Sequence, residues 1–382
     1  MARVAPTKRI YRSFPKIGRE LLFMKTDDEN PRFGEGSFLR LKDGSILFAY
    51  SSYRGNDYHD DCSASLKGIV SKDEGETWSE PVTLIETPED ALNLMSVSLL
   101  RMQNGDLGIF YLKKIIADPE LMTDDLAVYQ PTEGRPDKVV WTEYYLSRSE
   151  DEGKTFLPPV RCIPLNGRFI VNNDRVIRLK DGRIFFAAAK EHGVTHKHEV
   201  FVFVSEDDGR TFKNIGQKIV TPFESDGTGL QEPEPFEFED GTIAIWFRTN
   251  MGFQYRSVSK DGGYTFTSPE PDFRFTSPLS PMEIRTLSEA TVAVFNPIPP
   301  HAANRLPFGM DRTPYMLSVS EDGGKTFPRS YLLEDDLKNT YCYPAIIEVE
   351  GGFLVAYYHS DGTEQFLNAT KIIKVDYSEI GL

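Results

Sequence analysis

Several clusters of charged and polar side chains in this chain have the residue types that ligand binding or catalysis requires. One cluster is Asn173, Asp174 and Arg175, which lie in FIVNNDRVIRLKDGR at the entry to a predicted strand. Arginine suits the binding of an anionic ligand because its planar guanidinium stays charged and pairs bidentately with a carboxylate. The same residues could instead form an Asx turn that satisfies the local backbone. The segment therefore predicts either a substrate contact or a structural turn.

Two further clusters contain the residue types that bind metal ions. The first, in AAAKEHGVTHKHEVFVF, has Glu191, His192, His196 and His198, and the second, in the HDDC segment, has His59, Asp60, Asp61 and Cys62. Neither has the ligand spacing of a recognised metal site, so a solvated loop is the favoured interpretation. The 3 cysteines have no CxxC spacing and predict neither a zinc site nor a disulfide framework. We expect no metal and no cofactor.

One octapeptide occurs five times and carries a carboxylate at its third position. The copies are SKDEGETW from Ser71, SEDEGKTF from Ser149, SEDDGRTF from Ser205, SKDGGYTF from Ser259 and SEDGGKTF from Ser320. Aspartate can accept hydrogen bonds from nearby backbone N–H groups, glycine permits a left-handed turn, and the final aromatic residue packs between sheets. Structural roles are therefore predicted for Asp73, Asp151, Asp207, Asp261 and Asp322.

Six apolar hairpins alternate with these octapeptides and indicate the architecture. They are SFLRLKDGSILFAY, SVSLLRMQNGDLGIFY, DRVIRLKDGRIFFAA, PFEFEDGTIAIWF, IRTLSEATVAVF and AIIEVEGGFLVAYY. Asp-Gly and Asn-Gly pairs supply the positive φ angles of tight hairpin turns. In each four-stranded blade the hairpin would supply two strands, and the segment that runs into the octapeptide would supply the third. The octapeptide would then turn the chain into the fourth strand. We predict an all-β, six-bladed β-propeller in one domain over residues 1–382, closed by a sheet that the N- and C-terminal strands RELLFMK and KIIKVDYSEI share.

The composition limits the class of partner. The 382 residues carry a formal net charge of −15, and no basic run is long enough to predict nucleic-acid binding. No stretch of ~20 apolar residues predicts a membrane span. The N-terminal segment lacks the apolar run of a secretory signal, so we expect a cytoplasmic protein, or a secreted one whose leader was removed.

The octapeptides resemble the Asp boxes, or BNR repeats, of the sialidase superfamily, and the resemblance extends from about residue 30 to about residue 360. The resemblance implies a propeller in which three arginines bind the carboxylate of the sugar. It also implies a tyrosine nucleophile activated by a glutamate, and an aspartate as the acid/base. A neutral tyrosine avoids the repulsion that an anionic nucleophile would meet from the substrate carboxylate.

Two segments resemble the catalytic stretches of the superfamily. LQEPEPFEFEDGTIAIWFRTN resembles the stretch in which the activating glutamate precedes a strand pair that ends in the second arginine, which points to Glu232 and Arg248. NTYCYPAIIEVEGGFLVAYY resembles the nucleophile region and leaves Tyr341 and Tyr343 as alternatives. A glutamate that takes the phenolic proton would bring a tyrosine, whose ordinary pKa is ~10, into use near neutral pH.

The other two arginines are assigned differently. In GMDRTPYMLSVSEDGG, Arg312 resembles the third arginine, and Arg305 is its alternative. The first arginine of the superfamily stands in a Phe/Tyr-Arg-Ile-Pro motif, whereas the equivalent region here reads NPRFGEGSFLRLKDG. Arg32 is near that position but out of register with it. Glu35 is predicted to point toward the axis, where its carboxylate would repel the carboxylate of a sialic acid.

The loop in AYSSYRGNDYHDDC supplies the remaining candidates. Arg54 resembles an arginine found just after the first hairpin. The candidates for the acid/base are Asp57, Asp60 and Asp61.

Together these residues predict an exo-acting glycosidase that removes a sialic or other acidic sugar from a carbohydrate substrate. One alternative is a glycosidase that acts on a uronic or neutral sugar, and another is a non-catalytic carbohydrate-binding propeller. A scaffold propeller would instead present a flat apolar patch. A tyrosine hydroxyl in hydrogen-bond contact with Glu232 would favour the enzyme.

Overall fold

The computed structural model describes residues 13–55, 59–117, 139–192, 195–221, 228–298, 312–360 and 367–382. Within these ranges the chain forms twenty-five β-strands, β1 to β25, and a short 3-10 helix, Tyr377–Ile380. The fold is all-β with a β-propeller arrangement, as the sequence predicts. The strands make three four-stranded sheets, one five-stranded sheet and one eight-stranded sheet. None of the described helices is long and apolar enough to cross a membrane.

The eight-stranded sheet consists of two antiparallel arrays joined by a parallel pair, Ala64 with Asn93. The first array contains β2 (Phe33–Arg40), β3 (Ile46–Tyr53), β4 (Ala64–Ser71) and β5 (Val82–Ile85). The second array contains β6 (Asn93–Arg101), β7 (Leu107–Ala117), β8 (Val139–Ser149) and β9 (Val160–Arg161).

The other arrays follow in chain order. The third contains β10 (Phe169–Ile170), β11 (Ile177–Arg178), β12 (Ile184–Glu191), β13 (His198–Ser205) and β14 (Lys213–Ile219). The fourth contains β15 (Gln231–Glu237), β16 (Ile243–Arg248), β17 (Phe253–Ser259) and β18 (Glu270–Thr276). The fifth contains β19 (Glu283–Thr286), β20 (Thr291–Phe295), β21 (Tyr315–Ser320) and β22 (Arg329–Glu334). The sixth contains β23 (Tyr341–Val349), β24 (Gly352–His359), β25 (Ala369–Asp376) and β1 (Arg19–Met24).

The N- and C-terminal segments close the sixth array. Strand β1 pairs antiparallel with β25, from Arg19 opposite Lys374 to Met24 opposite Thr370. This pairing confirms the prediction that the two terminal strands share a sheet. It also covers an edge of β25 that would otherwise present unpaired backbone groups.

The hairpin turns have the predicted glycine chemistry. Gly44 and Gly105 each follow an Asp or Asn and have a φ of 90°. A left-handed backbone carries no steric penalty at glycine, so the strands can reverse within a few residues. Arg40 donates a hydrogen bond to the carbonyl of Gly44 at 2.8 Å, and Arg101 donates one to the carbonyl of Gly105 at 3.0 Å. The turns are therefore held by their own first strands.

Each octapeptide is closed by side-chain hydrogen bonds. In the copy at Ser205, the serine hydroxyl donates to Asp207 at 2.8 Å and accepts from the backbone N–H of Gly209 at 2.7 Å. Asp207 also accepts from the backbone N–H and the hydroxyl of Thr211, at 2.9 and 2.6 Å. The same four bonds occur in the copies that begin at Ser71, Ser149, Ser259 and Ser320. The predicted acceptor role of the aspartate is confirmed.

Apolar side chains fill the space between neighbouring arrays. Phe110 of the second array and Phe186 of the third are both fully buried. Phe212, the aromatic residue that ends an octapeptide, meets both rings edge-on, at centroid distances of 6.3 and 5.9 Å. Such edge-to-face pairs add to the free energy gained by burying apolar surface. The octapeptide thus couples a turn to the contact between two sheets.

Substitution of Asp207 by alanine tests this coupling. The change removes the acceptor of the three hydrogen bonds from Ser205 and Thr211, so we expect the free energy of unfolding to fall by about 2 kcal/mol. Urea denaturation measures the difference. The matched control is Glu206→Ala, because Glu206 forms an ion pair with Lys213 at 2.8 Å that is exposed to solvent, and its loss should change the free energy of unfolding much less. Equal losses in the two variants would contradict the structural role of Asp207.

Candidate active site

In four of the six arrays, the strand that was given first carries a β-bulge, and a non-glycine residue in the bulge has the left-handed conformation. In β2, β6, β15 and β23 the pairing with the second strand shifts near the start of the strand. The bulge residues are Glu35, Ser96, Glu232 and Tyr343, with φ angles of 53°, 58°, 42° and 56°. Such a conformation costs about 1–3 kcal/mol, so the surrounding contacts must maintain it. Bulges re-aim side chains and are frequent beside active sites.

Tyr343 and Glu232 are in direct contact although 111 residues separate them in the chain. The Tyr343 hydroxyl donates a hydrogen bond to Glu232 Oε1 at 2.9 Å. Arg248 Nη1 donates to Glu232 Oε2 at 2.8 Å and lies 3.4 Å from the Tyr343 hydroxyl oxygen. Burial and the Glu232 carboxylate raise the pKa of Tyr343 well above its usual value, against the opposing charges of Arg248 and Arg312. The phenol is therefore neutral at rest and adjacent to a base.

Arg312 lies over the face of this tyrosine. Its guanidinium carbon is 5.6 Å from the centroid of the Tyr343 ring, and the residue is 3 % exposed. Nη2 donates to the carbonyl of Leu279 at 3.3 Å, whereas Nε and Nη1 have no hydrogen-bond partner among the described residues. Buried donors are normally satisfied, so these two nitrogens mark a place where an anion can bind.

Arg32 reaches the same region from the residue before β2. It donates hydrogen bonds to Glu35 Oε1 at 2.9 Å, to Asp60 Oδ1 at 2.5 Å and to the hydroxyl of Tyr358 at 2.7 Å. The ring of Tyr358 in turn meets the ring of Tyr343 edge-on, with centroids 5.6 Å apart. The sequence interpretation sets Arg32 aside because it is out of register with the expected motif. The structure shows that a residue just outside the strand can reach the site.

Glu35 contributes a second carboxyl group to this region. It is 5 % exposed and accepts a hydrogen bond from the hydroxyl of Ser96 in addition to the one from Arg32. Burial raises the pKa of Glu35 to about 7; Arg32 opposes this rise, and the negative charges of Asp60 and Glu232 add to it. Because Arg32 is directly paired with Glu35, the repulsion expected between Glu35 and a ligand carboxylate is reduced.

The two adjacent aspartates of the loop have different surroundings. Asp60 pairs with Arg32, and its side chain is 57 % exposed. Asp61 is 8 % exposed and pairs with Lys114 at 3.1 Å. Loss of hydration would raise the pKa of Asp60, but the charges of Arg32 and Lys114 outweigh that loss and hold the pKa below its usual range. Of the two, Asp60 is the carboxylate that a ligand can reach.

Asp174 and Arg175 lie in the interior of the protein, which corrects their assignment as substrate contacts. Arg175 is 0 % exposed and forms ion pairs with Glu234 and Glu283. Asp174 accepts a hydrogen bond from Arg285 Nη2 at 2.7 Å. Asp174 lies in a turn with Asn173, but the side-chain partners of Asp174 and Arg175 belong to other arrays, so the two side chains link neighbouring arrays.

Tyr341 is not equivalent to Tyr343. It is fully buried, and its ring packs against Tyr315 and Tyr357 at centroid distances of 6.2 and 6.3 Å. Its hydroxyl makes no hydrogen bond within the described part of the chain. Of the two alternatives, the structure places Tyr343 beside Glu232 and Tyr341 in the core.

The remaining candidates pair with other residues or fall outside the described residues. Arg54 is exposed and pairs with Glu86 at 3.0 Å. Its two hydrogen bonds to that carboxylate place it in a surface ion pair. Arg305 and Asp57 fall outside the described residues.

The histidine cluster makes contacts within its own surroundings. His196 contacts Glu191 at 2.8 Å, and His198 Nδ1 lies 3.0 Å from the carbonyl of Thr228. Over the described ranges, no group of three or more His, Cys, Asp or Glu side chains could hold a metal ion.

The fold and the site define a class of propeller proteins in which a Tyr–Glu pair is flanked by buried arginines. Residues 121–356 match the family model described as a BNR repeat-like domain, and the chain belongs to that family. The match confirms the resemblance to the sialidase superfamily that the octapeptides indicate. A comparison with curated proteins gives no significant match.

Solved structures share the fold at low sequence identity. A protein of unknown function from Dyadobacter fermentans is 19 % identical, with a TM-score of 0.71 over 94 % of this chain and 99 % of that one. A variant of the NanB sialidase from Streptococcus pneumoniae is 13 % identical, with a TM-score of 0.68 over 94 % and 71 % of the two chains. The intramolecular trans-sialidase from Ruminococcus gnavus is 12 % identical, with a TM-score of 0.67 over 95 % and 98 %.

Substitution of Glu35 by glutamine tests the state of the buried carboxyl. Folded Glu35 keeps its proton up to about pH 7, whereas an unfolded glutamate releases it near pH 4.5, so wild-type stability falls as the pH rises between these values. Glutamine mimics the protonated group, and we expect Glu35→Gln to gain stability relative to wild type across that window. Urea denaturation at a series of pH values measures the gain.

The matched control for this experiment is Glu86→Gln. A hydrogen bond from Ser65 lowers the pKa of Glu86, so the stability that its ionised form contributes is complete above about pH 4.5 and is lost only as the pH falls below that value. The difference between Glu86→Gln and wild type should therefore be constant from about pH 4.5 to 7. A Glu35→Gln curve that runs parallel to wild type from about pH 4.5 to 7 would show that Glu35 is ionised throughout.

Proposed function

We propose that this protein is an exo-acting glycoside hydrolase that removes a sialic or other acidic sugar with a tyrosine nucleophile. The observation that carries the proposal is the 2.9 Å hydrogen bond from the Tyr343 hydroxyl to Glu232 Oε1. Nucleophile and base within hydrogen-bond reach are the signature of covalent catalysis. The related fold of the Ruminococcus gnavus trans-sialidase, solved in complex with oseltamivir carboxylate, supports an acidic ligand.

The residues of the site divide the reaction into two steps. In the first, the Tyr343 oxygen attacks the anomeric carbon while its proton passes to Glu232, and Asp60 protonates the leaving oxygen. In the second, water attacks the same carbon, Asp60 takes the proton of that water, and the phenolate of Tyr343 leaves and recovers its proton from Glu232. A neutral phenol suits an anionic substrate, because a carboxylate nucleophile would be repelled.

Arg312 and Arg32 act on the carboxylate of the substrate. The Nε and Nη1 atoms of Arg312 are buried donors with no partner among the described residues, and the carboxylate of a substrate can accept hydrogen bonds from them. A carboxylate that approaches Arg32 competes with Asp60 for the same cation. Asp60 then loses part of the attraction that keeps it ionised, so its pKa rises toward that of a general acid.

The architecture that presents this site is a six-bladed propeller with five Asp boxes. The support for six blades is that the described strands form six antiparallel arrays in chain order, each with a hairpin as its first two long strands. The support for the Asp boxes is the position of the octapeptides, each of which begins at the last residue of a strand. These residues are Ser71, Ser149, Ser205, Ser259 and Ser320.

Replacement of Tyr343 by phenylalanine tests the nucleophile. We expect kcat/KM on the best substrate of a chromogenic panel of sialosides, uronides and neutral glycosides to fall by more than about 100-fold, because the attacking oxygen is lost. Tyr341→Phe is the matched control, since it removes a core hydroxyl that makes no hydrogen bond in the described ranges, and should keep wild-type kinetics.

The panel also separates the proposed enzyme from a carbohydrate-binding propeller. Turnover of a sialoside or uronide that Tyr343→Phe loses supports the proposal, whereas a neutral glycoside as the best substrate would contradict an acidic sugar. Binding of sialic acid with no turnover on the whole panel would favour a binding protein.

Arg312→Met tests the recognition of the acidic group. Loss of a charge-assisted pair should raise KM for an acidic glycoside by about 10- to 100-fold, since such a hydrogen bond contributes roughly 1.5–3 kcal/mol, and should leave a neutral glycoside unaffected. Arg54→Met removes an exposed arginine that pairs with Glu86 as a control and should change neither value. Equal effects of Arg312→Met on acidic and neutral glycosides would contradict its role in binding the carboxylate.

A further inference from the structure

A cross-strand pair in the second array holds the Asp60 loop of the first. Asn93 and Lys114 lie opposite each other in β6 and β7. Asn93 Nδ2 donates hydrogen bonds to the carbonyls of Asp60 and Cys62 at 2.6 and 2.8 Å. Lys114 Nζ donates to the same Asp60 carbonyl at 2.7 Å and to Asp61 Oδ1 at 3.1 Å. Three consecutive residues of the loop are thus tied to the neighbouring array.

The buried state of this pair makes its contacts with the loop important. Asn93 is 0 % exposed, and the side chain of Lys114 is 6 % exposed. A buried ammonium group is costly unless it is paired and hydrogen-bonded, so the bonds to the Asp60 loop compensate for the burial of Lys114. Asn93 also forms the parallel pair with Ala64 that joins the two arrays. The loop is therefore fixed at its carbonyls while the Asp60 carboxylate stays exposed.

We propose that Asn93 and Lys114 are positioning residues that hold the Asp60 loop so that the Asp60 carboxylate faces Arg32 and the leaving oxygen of the substrate. This inference rests on the proposed function and extends it to residues that touch neither Tyr343 nor the arginines. Neither residue carries the reaction itself. A displacement of about 1 Å at a catalytic group can lower a rate about 100-fold, so an anchor on the backbone of Asp60 affects the rate directly.

Charged and titratable groups face Asp60 from several elements. The cations are Arg32 before β2, Lys114 on β7 and Arg168 before β10, the acid is Glu35 on β2, and the phenols are Tyr53 on β3 and Tyr358 on β24. Arg32 and Lys114 both favour the ionised form of Asp60. Removal of the Lys114 charge therefore leaves the other groups in place and makes Asp60 easier to protonate.

Lys114→Met is the main test, because it keeps the length of the side chain and removes its charge and both hydrogen bonds. We expect kcat to fall about 10- to 100-fold, with little change in KM. The loss should be larger on a glycoside with a poor sugar leaving group than on its nitrophenyl counterpart, because the poor leaving group needs protonation by Asp60. The limb of the pH–rate profile that belongs to Asp60 should move to higher pH.

Two matched variants accompany this test. Lys113→Met changes the next residue of the same strand, which pairs with the exposed Asp90 at 2.6 Å, and should keep the wild-type rate and pH profile. Lys114→Arg keeps the charge and should restore most of the rate with an unshifted profile. A Lys114→Met loss that is equal for both leaving groups, with an unshifted profile, would overturn the proposal in favour of a merely structural role.

A second substitution and a second measurement cover the remaining cases. If Lys114→Met does not fold, Asn93→Ser removes the other anchor and is judged by the same dependence on the leaving group. If the wild type hydrolyses no glycoside, the proposed function fails, and the anchor is judged by hydrogen exchange at the Cys62 amide, which donates to the His59 carbonyl at 3.0 Å. Faster exchange in Lys114→Met than in Lys113→Met supports the anchor, and equal rates contradict it.

Discussion

A buried cluster of ion pairs among the first strands is the interaction on which the rest of the structure depends. Arg175 is fully buried between Glu234 and Glu283, and Arg285 links Glu283 to Asp174 at 2.6 and 2.7 Å. Burial raises the pKa of Glu283 to about 7, against the charges of Arg285 and Arg175. A buried charge that loses its partner costs several kcal/mol, so these strands of the third, fourth and fifth arrays cannot separate independently.

Hydrogen bonds with uncharged groups of the other arrays extend this cluster and connect it to the site. Ser37 of β2 donates to Asp174 at 2.5 Å, Ser98 of β6 accepts from the backbone of Arg175 at 2.9 Å, and the N–H of Ile346 in β23 donates to Asp174 at 3.3 Å. The cluster residues Ser37, Ser98 and Glu234 each stand two positions after a bulge residue, namely Glu35, Ser96 and Glu232. The cluster therefore fixes the strand positions that place the bulge side chains, which is the support that their left-handed conformation requires.

The repeating part of the fold can be predicted from sequence because each octapeptide and hairpin carries its own local chemistry. Glu232 and Arg248 can be predicted together, since they belong to the two strands of one hairpin, where Gln231 pairs with Arg248. The contacts of Tyr343 with Glu232 and of Arg32 with Asp60 and Tyr358 join different arrays or loops, and no local pattern encodes those distances. An arginine such as Arg175 can pair with an anionic ligand or with carboxylates of the protein itself, and its residue type does not distinguish the two. In the structure its partners are two glutamates of other arrays. An alignment of the hairpins could have located the bulge residues. In four arrays the bulge residue stands five positions before the last arginine or glutamate of the same strand.

The charges of the site relate the proposed binding of an acidic substrate to the uptake of a proton by one of the carboxyl groups. Among the described residues, the guanidinium groups and the carboxyl groups that face each other there are Arg32, Arg248 and Arg312, and Glu35, Asp60 and Glu232. With all six ionised the set is neutral, so an added carboxylate gives the site a net negative charge. Glu35, whose pKa burial raises to about 7, is a carboxyl group that can take up a proton near neutral pH. In the proposed function, protonation of Glu35 would weaken its pairing with Arg32, and the charge of Arg32 would then be available to the carboxylate of the substrate. In the proposed function, selectivity for an acidic sugar would therefore depend on the coupled carboxyl and guanidinium groups together, and a count of arginines alone would not describe it.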